Sequence, residues 1–299
     1  MLTALITGAG GQVGRRIVDR LVQAGWDTRG FDLRSGVAPT IALVLHSPLA
    51  TGEWAERWQT SWDHLEADLV PDRELRIQAL IDVADAIAGS TPTVLDLACG
   101  PGTVTRRLLD RLPAARLIAL DVDPVLLTIA SATFAEDDRV RVVGADLRDP
   151  TWVESLPHRQ FDAVLTATAL HWLPEDAVRR VYKDLGRLVR RGGVVAHAEK
   201  MPLVDLPLGA ALGRFGREHR VDRHVDGPAT WAAWWEQAAG DPVLAGAAVE
   251  RRAVFSASYP TEEFSPPADW HIAALHDAGF AEAGVVWRCG TGAIVAGLR

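Results

Sequence analysis

The chain carries two separate glycine-rich loops, each preceded by a short apolar run and each followed further on by an aspartate. The first is Leu2–Thr7 running into Gly8-Ala-Gly-Gly11-Gln-Val-Gly14, with Asp32 beyond it. The second is Thr93–Leu97 running into Ala98-Cys-Gly100-Pro-Gly102, with Asp121 beyond it. A strand that turns through glycines into a helix opens a βαβ unit, because the tight turn and the close approach of backbone are cheap only without a Cβ. Such openings commit the chain to an α/β fold. Only the second is followed by enough alternating elements to complete one.

Composition narrows the classes. With 48% hydrophobic residues over 299 positions the chain can bury a substantial core. No apolar run approaches the roughly 20 residues that span a bilayer. The first residues, Met-Leu-Thr-Ala-Leu-Ile, carry no basic leader, so a cytoplasmic protein off the membrane is expected. Cys99 and Cys289 are too few for a disulfide framework, and Cys99 reads as a small loop residue. The net charge is −8 and the acidic excess lies after residue 50, which argues against a nucleic-acid partner, since phosphate backbones are held by clustered Lys and Arg. The basic stretch Arg187-Leu-Val-Arg-Arg191 reads as a solvated helix end, where cations suit the dipole. No His, Asp or Glu cluster has metal-ligand spacing, so no metal is expected. The oligomeric state stays open, a homo-oligomer included.

In the first segment, residues 12–24 read as an amphipathic helix with Val13, Ile17 and Leu21 on one face, and Trp26–Phe31 as a second strand. Gly8, Gly11 and Gly14 resemble the fingerprint of the extended short-chain dehydrogenase/epimerase family. The resemblance implies a pyrophosphate at the helix N-terminus and a ribose on Asp32. It covers only about residues 1–36. The family's Tyr-x-x-x-Lys pair is missing, since Tyr182 is followed directly by Lys183 and no lysine follows Tyr259. Two readings stand side by side: a working NAD(P) site, or a truncated NAD(P)-Rossmann-like βαβ appendage over 1–36 that binds nothing, with 37–52 as linker.

The second segment reads as a helix over Asp72–Ala88 with Leu75, Leu80, Ile81, Ala84 and Ile87 as its apolar stripe, a strand Thr93–Leu97, and a helix Thr103–Leu112 stopped by Pro113. Then come a strand Arg116–Leu120, a helix opened by Asp123-Pro124 as cap and first residue, and strands Val140–Gly144 and Phe161–Thr166. A helix from Pro174 to Gly192-Gly193 and a strand Val194–Glu199 follow. Ala283–Arg288 and Gly292–Leu298 read as a final hairpin that gives the sheet one antiparallel member. The residue before each glycine loop separates the two chemically. Asp96 would repel a pyrophosphate and suits a cation without phosphates, whereas Thr7 is neutral. Asp96, Asp121 and Asp146 all stand at strand ends, on the carboxyl edge where open α/β sheets bind ligands.

Here the chain resembles the class I S-adenosylmethionine-dependent methyltransferases, in their trans-aconitate-methyltransferase-like, small-molecule branch. The matching stretches are Val94-Leu-Asp-Leu-Ala-Cys-Gly-Pro-Gly102, Ile118-Ala-Leu-Asp-Val-Asp-Pro124, Gly144-Ala-Asp-Leu147, Phe161-Asp-Ala-Val with Ala-Leu-His-Trp-Leu173, and Arg191-Gly-Gly-Val-Val195. The resemblance implies a Rossmann-like, mostly parallel seven-stranded sheet over 53–299 with a helical lid insertion at about 205–255, preceded by the βαβ N-terminal appendage. It implies S-adenosyl-L-methionine as cofactor and a small-molecule acceptor. Carried over, Asp96, Ala98, Gly100 and Gly102 would line the methionine half, Asp121 and Val122 the ribose, and Asp146 with Leu147 the adenine. Thr166 and Trp62 would add contacts.

His171, just past the fourth strand, is the candidate general base; the alternative is that the His-Trp pair only packs and closes the pocket. His197 and Glu199 share one side of a strand and are expected to form a hydrogen-bonded core pair. Trp54, Trp58 and Trp62 recur every fourth residue, on one helical face, as core packing with Trp62 touching the ligand. Trp231, Trp234 and Trp235 read as an acceptor wall or as a contact between lid and core. His219 and His224 read as lid surface. Arg214, Arg217, Arg220 and Arg223 are available for an acidic acceptor. Three function classes remain at this level: a small-molecule methyltransferase, a bifunctional or NAD(P)-sensing protein, and a cofactor-binding regulatory module without catalysis.

Overall fold

The computed structural model describes the backbone of residues 3–7 and 27–31 and residues 51–70, 72–203, 207, 211, 230–255 and 263–299. The chain divides into two units, Met1–Thr51 and Gly52–Arg299. In the first, β1 (Thr3–Thr7) pairs in parallel with β2 (Asp27–Phe31), Thr3 opposite Asp27 and Thr7 opposite Phe31. A parallel pair requires a crossover between its strands. The glycine loop 8–14, the helix expected at 12–24 and Asp32 lie outside the described residues.

The second unit opens with α1 (Gly52–Leu69) and α2 (Arg73–Ala88), followed by β3 (Thr93–Leu97), α3 (Thr103–Arg111), β4 (Arg116–Asp121), α4 (Pro124–Thr133) and β5 (Val140–Gly144). Then come β6 (Phe161–Ala167), α5 (Glu175–Leu188), β7 (Val189–Lys200), α6 (Trp231–Gly240), α7 (Ala245–Val254) and α8 (Ala268–Asp277). The hairpin β8 (Glu282–Cys289) and β9 (Gly292–Leu298) closes the chain. The seven strands stand in the order β5-β4-β3-β6-β7-β9-β8, and β9 alone runs against its neighbours. This is the mostly parallel seven-stranded sheet expected, with helices between its strands. The order reverses between β3 and β6, which puts the crevice of the fold beside the loop that follows β3.

Apolar runs on both faces produce two core clusters. One includes Leu95, Leu120, Phe161, Tyr182 and Leu185; the other includes Leu80, Val94, Leu108, Leu117 and Ile294. Burying both faces explains why the central strands read as continuous apolar runs and not as alternation. Local chemistry sets the helix starts. Asp123, at the N-cap of α4, accepts from the amides of Val125 and Leu126 at 2.9 and 3.4 Å, ahead of Pro124 at the first turn.

Three sequence expectations are corrected. On α2 the buried face is Ile77, Leu80, Ile81, Ala84 and Ala88, while Leu75 and Ile87 are exposed, because the helix rolls until Ile77 meets the sheet. The helix from Pro174 ends at Leu188, and Val189 already pairs with Phe161 in β7; Gly192-Gly193 lies in a register shift of that strand and not at a helix end. Arg190 is consequently a strand residue bound to Asp162 at 2.5 Å, so the basic stretch is only in part a helix end.

Tryptophans join α1 to the lid helices. Trp234 of α6 is fully buried, with ring centroids 5.3 Å from Trp58 and 5.0 Å from Trp62, and its Nε1 donates to Ser61 Oγ at 3.0 Å. Trp54 and Trp58 both donate to Asp241 Oδ2, at 3.0 and 3.1 Å. Large rings fasten the lid, and the N–H groups of Trp54, Trp58 and Trp234 find acceptors. Trp231, Trp234 and Trp235 therefore make a lid-to-core contact, and the stripe on α1 is its other half.

Candidate active site

A cavity of about 1040 Å³ lies on the carboxyl edge of the sheet in the second unit. Its wall holds Asp96, Ala98, Gly100, Asp121, Val122, Asp146, Leu147, Trp62 and His171 among the residues singled out in the sequence. Gly102 and Thr166 are not part of the wall. Gly102 turns to the core, where a Cβ would stand 2.4 Å from the Phe134 ring; Thr166 is fully buried within β6, and the chain reaches the cavity only at Ala167 and Thr168.

The loop after β3 is bent by three positive φ values, 59° at Ala98, 57° at Gly100 and 93° at Gly102. Glycine makes two of them cheap; Ala98 accepts the same geometry at a modest cost. The loop is held from all sides. Asp96 Oδ2 accepts from the amide and hydroxyl of Thr105 at 3.0 and 2.6 Å, so it satisfies an otherwise unpaired amide in the first turn of α3. Asp121 Oδ1 accepts from the amides of Val122 and Asp123 at 2.7 and 2.8 Å, and Oδ2 accepts from Gly100 at 2.8 Å. Of the four accepting positions of that carboxylate one stays open. That suits a ligand hydroxyl. Asp146 is held by Arg148, whose Nη2 lies 2.7 Å from Oδ2, so an amine reaching it would share it with a guanidinium.

Burial raises the pKa of Asp96, Asp121 and Asp123. Desolvation pushes Asp96 up to about 7 against the bonds from Thr105, and raises Asp121 against its three amides. Desolvation also pushes Asp123 up to about 6 although Arg251 opposes it, Nε lying 2.6 Å from Oδ2. Arg251, from lid helix α7, is in turn stacked 3.5 Å from the Trp235 ring centroid. A ligand carrying positive charge would relieve three acids crowded at one loop; a pyrophosphate would oppose them. The donor set therefore fits a sulfonium or an ammonium.

The other end of the cavity is built around His171, on a short 3₁₀ turn, Leu170–Trp172, after β6. Its Nδ1 lies 2.9 Å from Glu199 Oε2, and its ring stacks obliquely on Trp172 at 4.8 Å. This corrects the expected pairing: Glu199 binds His171, while His197 Nε2 stays 3.8 Å from the same oxygen. His197 instead turns Nδ1 to the hydroxyl of Tyr182 at 2.7 Å, and that hydroxyl also meets His271 Nδ1 at 2.8 Å. A phenol has one proton to give, so one of the two imidazoles must donate to it and the other accept. Desolvation, with the nearby His197, holds His271 down to about 3, which keeps it neutral. For His171 desolvation pulls the pKa down, but Glu199, with Glu263 and Glu66, outweighs it and raises the value. Glu199 is fully buried; its bond with His171, helped by the nearby His197, overcomes desolvation and keeps it ionised.

Glu199, Glu66, Glu263 and Arg251 were not singled out for the site in the sequence. The spacing of His197 and Glu199 put them on one face of a strand, but no local signal linked Glu199 to a histidine 28 positions away. His219, His224 and Arg214, Arg217, Arg220 and Arg223 lie outside the described residues. Among the described residues no group of three or more His, Cys, Asp or Glu could hold a metal, and no helix is long and apolar enough to cross a membrane. Cys99 is buried and Cys289 exposed, both as free thiols.

Residues 94–193 match the family model described as a methyltransferase domain. That stretch holds the glycine loop, Asp121, Asp146 and His171. The chain is 34% identical over 152 residues to a trans-aconitate 2-methyltransferase of Methylobacterium radiotolerans, covering 51% of this chain and 49% of that protein. It is 29% identical over 123 residues to a malonyl-[acyl-carrier protein] O-methyltransferase of a Paenibacillus species, 40% of this chain and 43% of that one. The chain thus spans about half the length, or less, of these curated relatives. In fold it is similar to an O-methyltransferase family protein from Burkholderia thailandensis, with a TM-score of 0.51 at 20% identity, covering 87% of this chain and 67% of that one. The matched stretch lies in the second unit, and none of these comparisons supports the dehydrogenase-like reading of residues 1–36.

Proposed function

We propose that this chain transfers a methyl group from S-adenosylmethionine to a small-molecule acceptor, with His171 as general base. The observation that carries the reading is the joint placement, in one cavity, of the acid-lined loop Asp96–Gly100 and the His171–Glu199 dyad. Asp96, Ala98 and Gly100 would hold the methionine end, Asp121 and Val122 the ribose, and Asp146 with Leu147 the adenine, while Trp62 and the lid helices keep water out. When bound, the cofactor supplies an electrophilic methyl on a sulfonium. The chain's own task is alignment and proton removal. Glu199 accepts from His171 Nδ1, which fixes the tautomer and leaves Nε2 free to take a proton from the acceptor. The imidazolium so formed rests on a carboxylate that is already ionised.

Parallel calorimetric titrations of the full-length protein with S-adenosylhomocysteine and with NAD(P) test the reading. Saturable binding of the first and none of the second is expected. Binding of the dinucleotide alone would sink it.

A further inference from the structure

The wall around His171 is acidic. Glu199 touches the imidazole at 2.9 Å, and Glu66 of α1 and Glu263 act on it through space. Of the cations of the described wall, Arg73 pairs with Asp63 at 2.9 Å, Arg251 pairs with Asp123 at 2.6 Å and Arg76 lies over the Trp287 ring at 6.0 Å, while Lys200 stands 3.9 Å from Glu263 itself and offsets part of that charge. An anion approaching the base thus meets acids of its own sign, and the repulsion is strongest from the poorly solvated Glu199 and Glu66 and weaker from the half-exposed Glu263.

A second, independent line comes from the chemistry of the nucleophile. A carboxylate acceptor is ionised well below neutral pH and has no proton to lose. A hydroxyl or an ammonium must lose one before or during attack. A buried imidazole locked onto an ionised glutamate is a proton acceptor, and it has no work to do for a carboxylate.

We propose, resting on the reading of His171 as base, that the methyl acceptor is a proton-bearing nucleophile without net negative charge, a hydroxyl or an ammonium, and that Glu66 and Glu263 disfavour anionic acceptors. His171 Nε2 takes the proton from the acceptor's O–H or N–H. The freed lone pair forms the bond to the methyl carbon, and the carbon–sulfur bond breaks with its pair staying on sulfur. The positive charge of the sulfonium thereby passes to the imidazolium, which Glu199 holds. An ammonium acceptor gives up its charge with the proton and regains it when the bond to the methyl carbon forms.

The test titrates benzylamine, benzyl alcohol, benzoate and trans-aconitate into full-length protein saturated with S-adenosylhomocysteine, read by tryptophan fluorescence, since Trp62 and Trp172 both line the cavity. Benzylamine or benzyl alcohol is expected to bind at least tenfold tighter than either anion. A Glu66→Gln, Glu263→Gln double variant should cut the preference for the amine over benzoate by about tenfold. Glu263→Gln alone, at a half-exposed side chain, provides a second variant that preserves the fold and should narrow the preference in the same direction. Anions binding as tightly as the amine and the alcohol, absent binding of those two, or a preference that neither variant moves would each overturn the proposal. Failure to saturate with S-adenosylhomocysteine would show up separately and would remove the underlying reading.

Discussion

The two ends of the cavity are made of the same side chains, carboxylates below nine per cent exposure, yet they are assembled in opposite ways. At the loop end Asp96 and Asp123 bind backbone amides within nine residues of themselves, and Asp121 adds to its two neighbours the amide of Gly100. At the other end Glu199 reaches His171 across two strands, and Tyr182 gathers His197 and His271 from separate elements. Backbone amides are always present and need only a turn of the right shape. Side-chain partners must be brought together by packing. The first end is therefore a motif and the second a consequence of the fold.

Removing the centre of the second end should have the largest effect. His171→Ala is expected to lower kcat/KM by about 10²–10⁴-fold, the usual range for a general base, with S-adenosylhomocysteine affinity unchanged in calorimetry. Full turnover in the variant would return His171 to the packing role. The loop end should fail in the complementary way. Asp121→Ala removes an acceptor of three amides and is expected to weaken S-adenosylhomocysteine binding by roughly 10–100-fold, following the ~1.5–3 kcal/mol of hydrogen bonds to a charged group. If both variants hit binding and turnover alike, the division between the ends is false.

The smallest effect is the most specific. Turnover should rise with pH as His171 loses its proton, with a midpoint above the ordinary 6.5 because Glu199, Glu263 and Glu66 face it. In Glu199→Gln the largest of these charges is gone and desolvation remains, so the midpoint should move to lower pH. Stability follows the same linkage. A histidine raised by folding stabilises fully below its unfolded pKa and loses that contribution as pH rises through its folded value. The melting temperature of the wild type should thus fall more than that of Glu199→Gln as pH is raised above about 6.5. Asp96 and Asp123, whose folded values are raised, also favour lower pH, so only the difference between the two proteins isolates His171.

Much of this was legible in advance, for physical reasons that differ by element. The strand positions and the hairpin could be read because both faces of the sheet are buried, which leaves long apolar runs between turn residues. The start of α4 could be read because Asp123-Pro124 is a local cap. The stripe on α2 holds at Leu80, Ile81 and Ala84 and fails at its ends, since Leu75 and Ile77 both fit an apolar period and only contact with the sheet chose Ile77. The end of α5 was misplaced because Gly192-Gly193 serves a register shift in β7 just as well as a helix stop.

What the amino-acid sequence by itself determined is the fold and the loop end of the cavity: both arise from short stretches whose glycines, caps and apolar runs dictate backbone shape without distant help. What only the tertiary structure decided is the partner of His171, the anchoring of the lid by Arg251 and Trp234, and the acid gathered around the base. Those depend on the relative placement of elements tens of residues apart, and side-chain pairing at such separations leaves no periodicity in the chain to read.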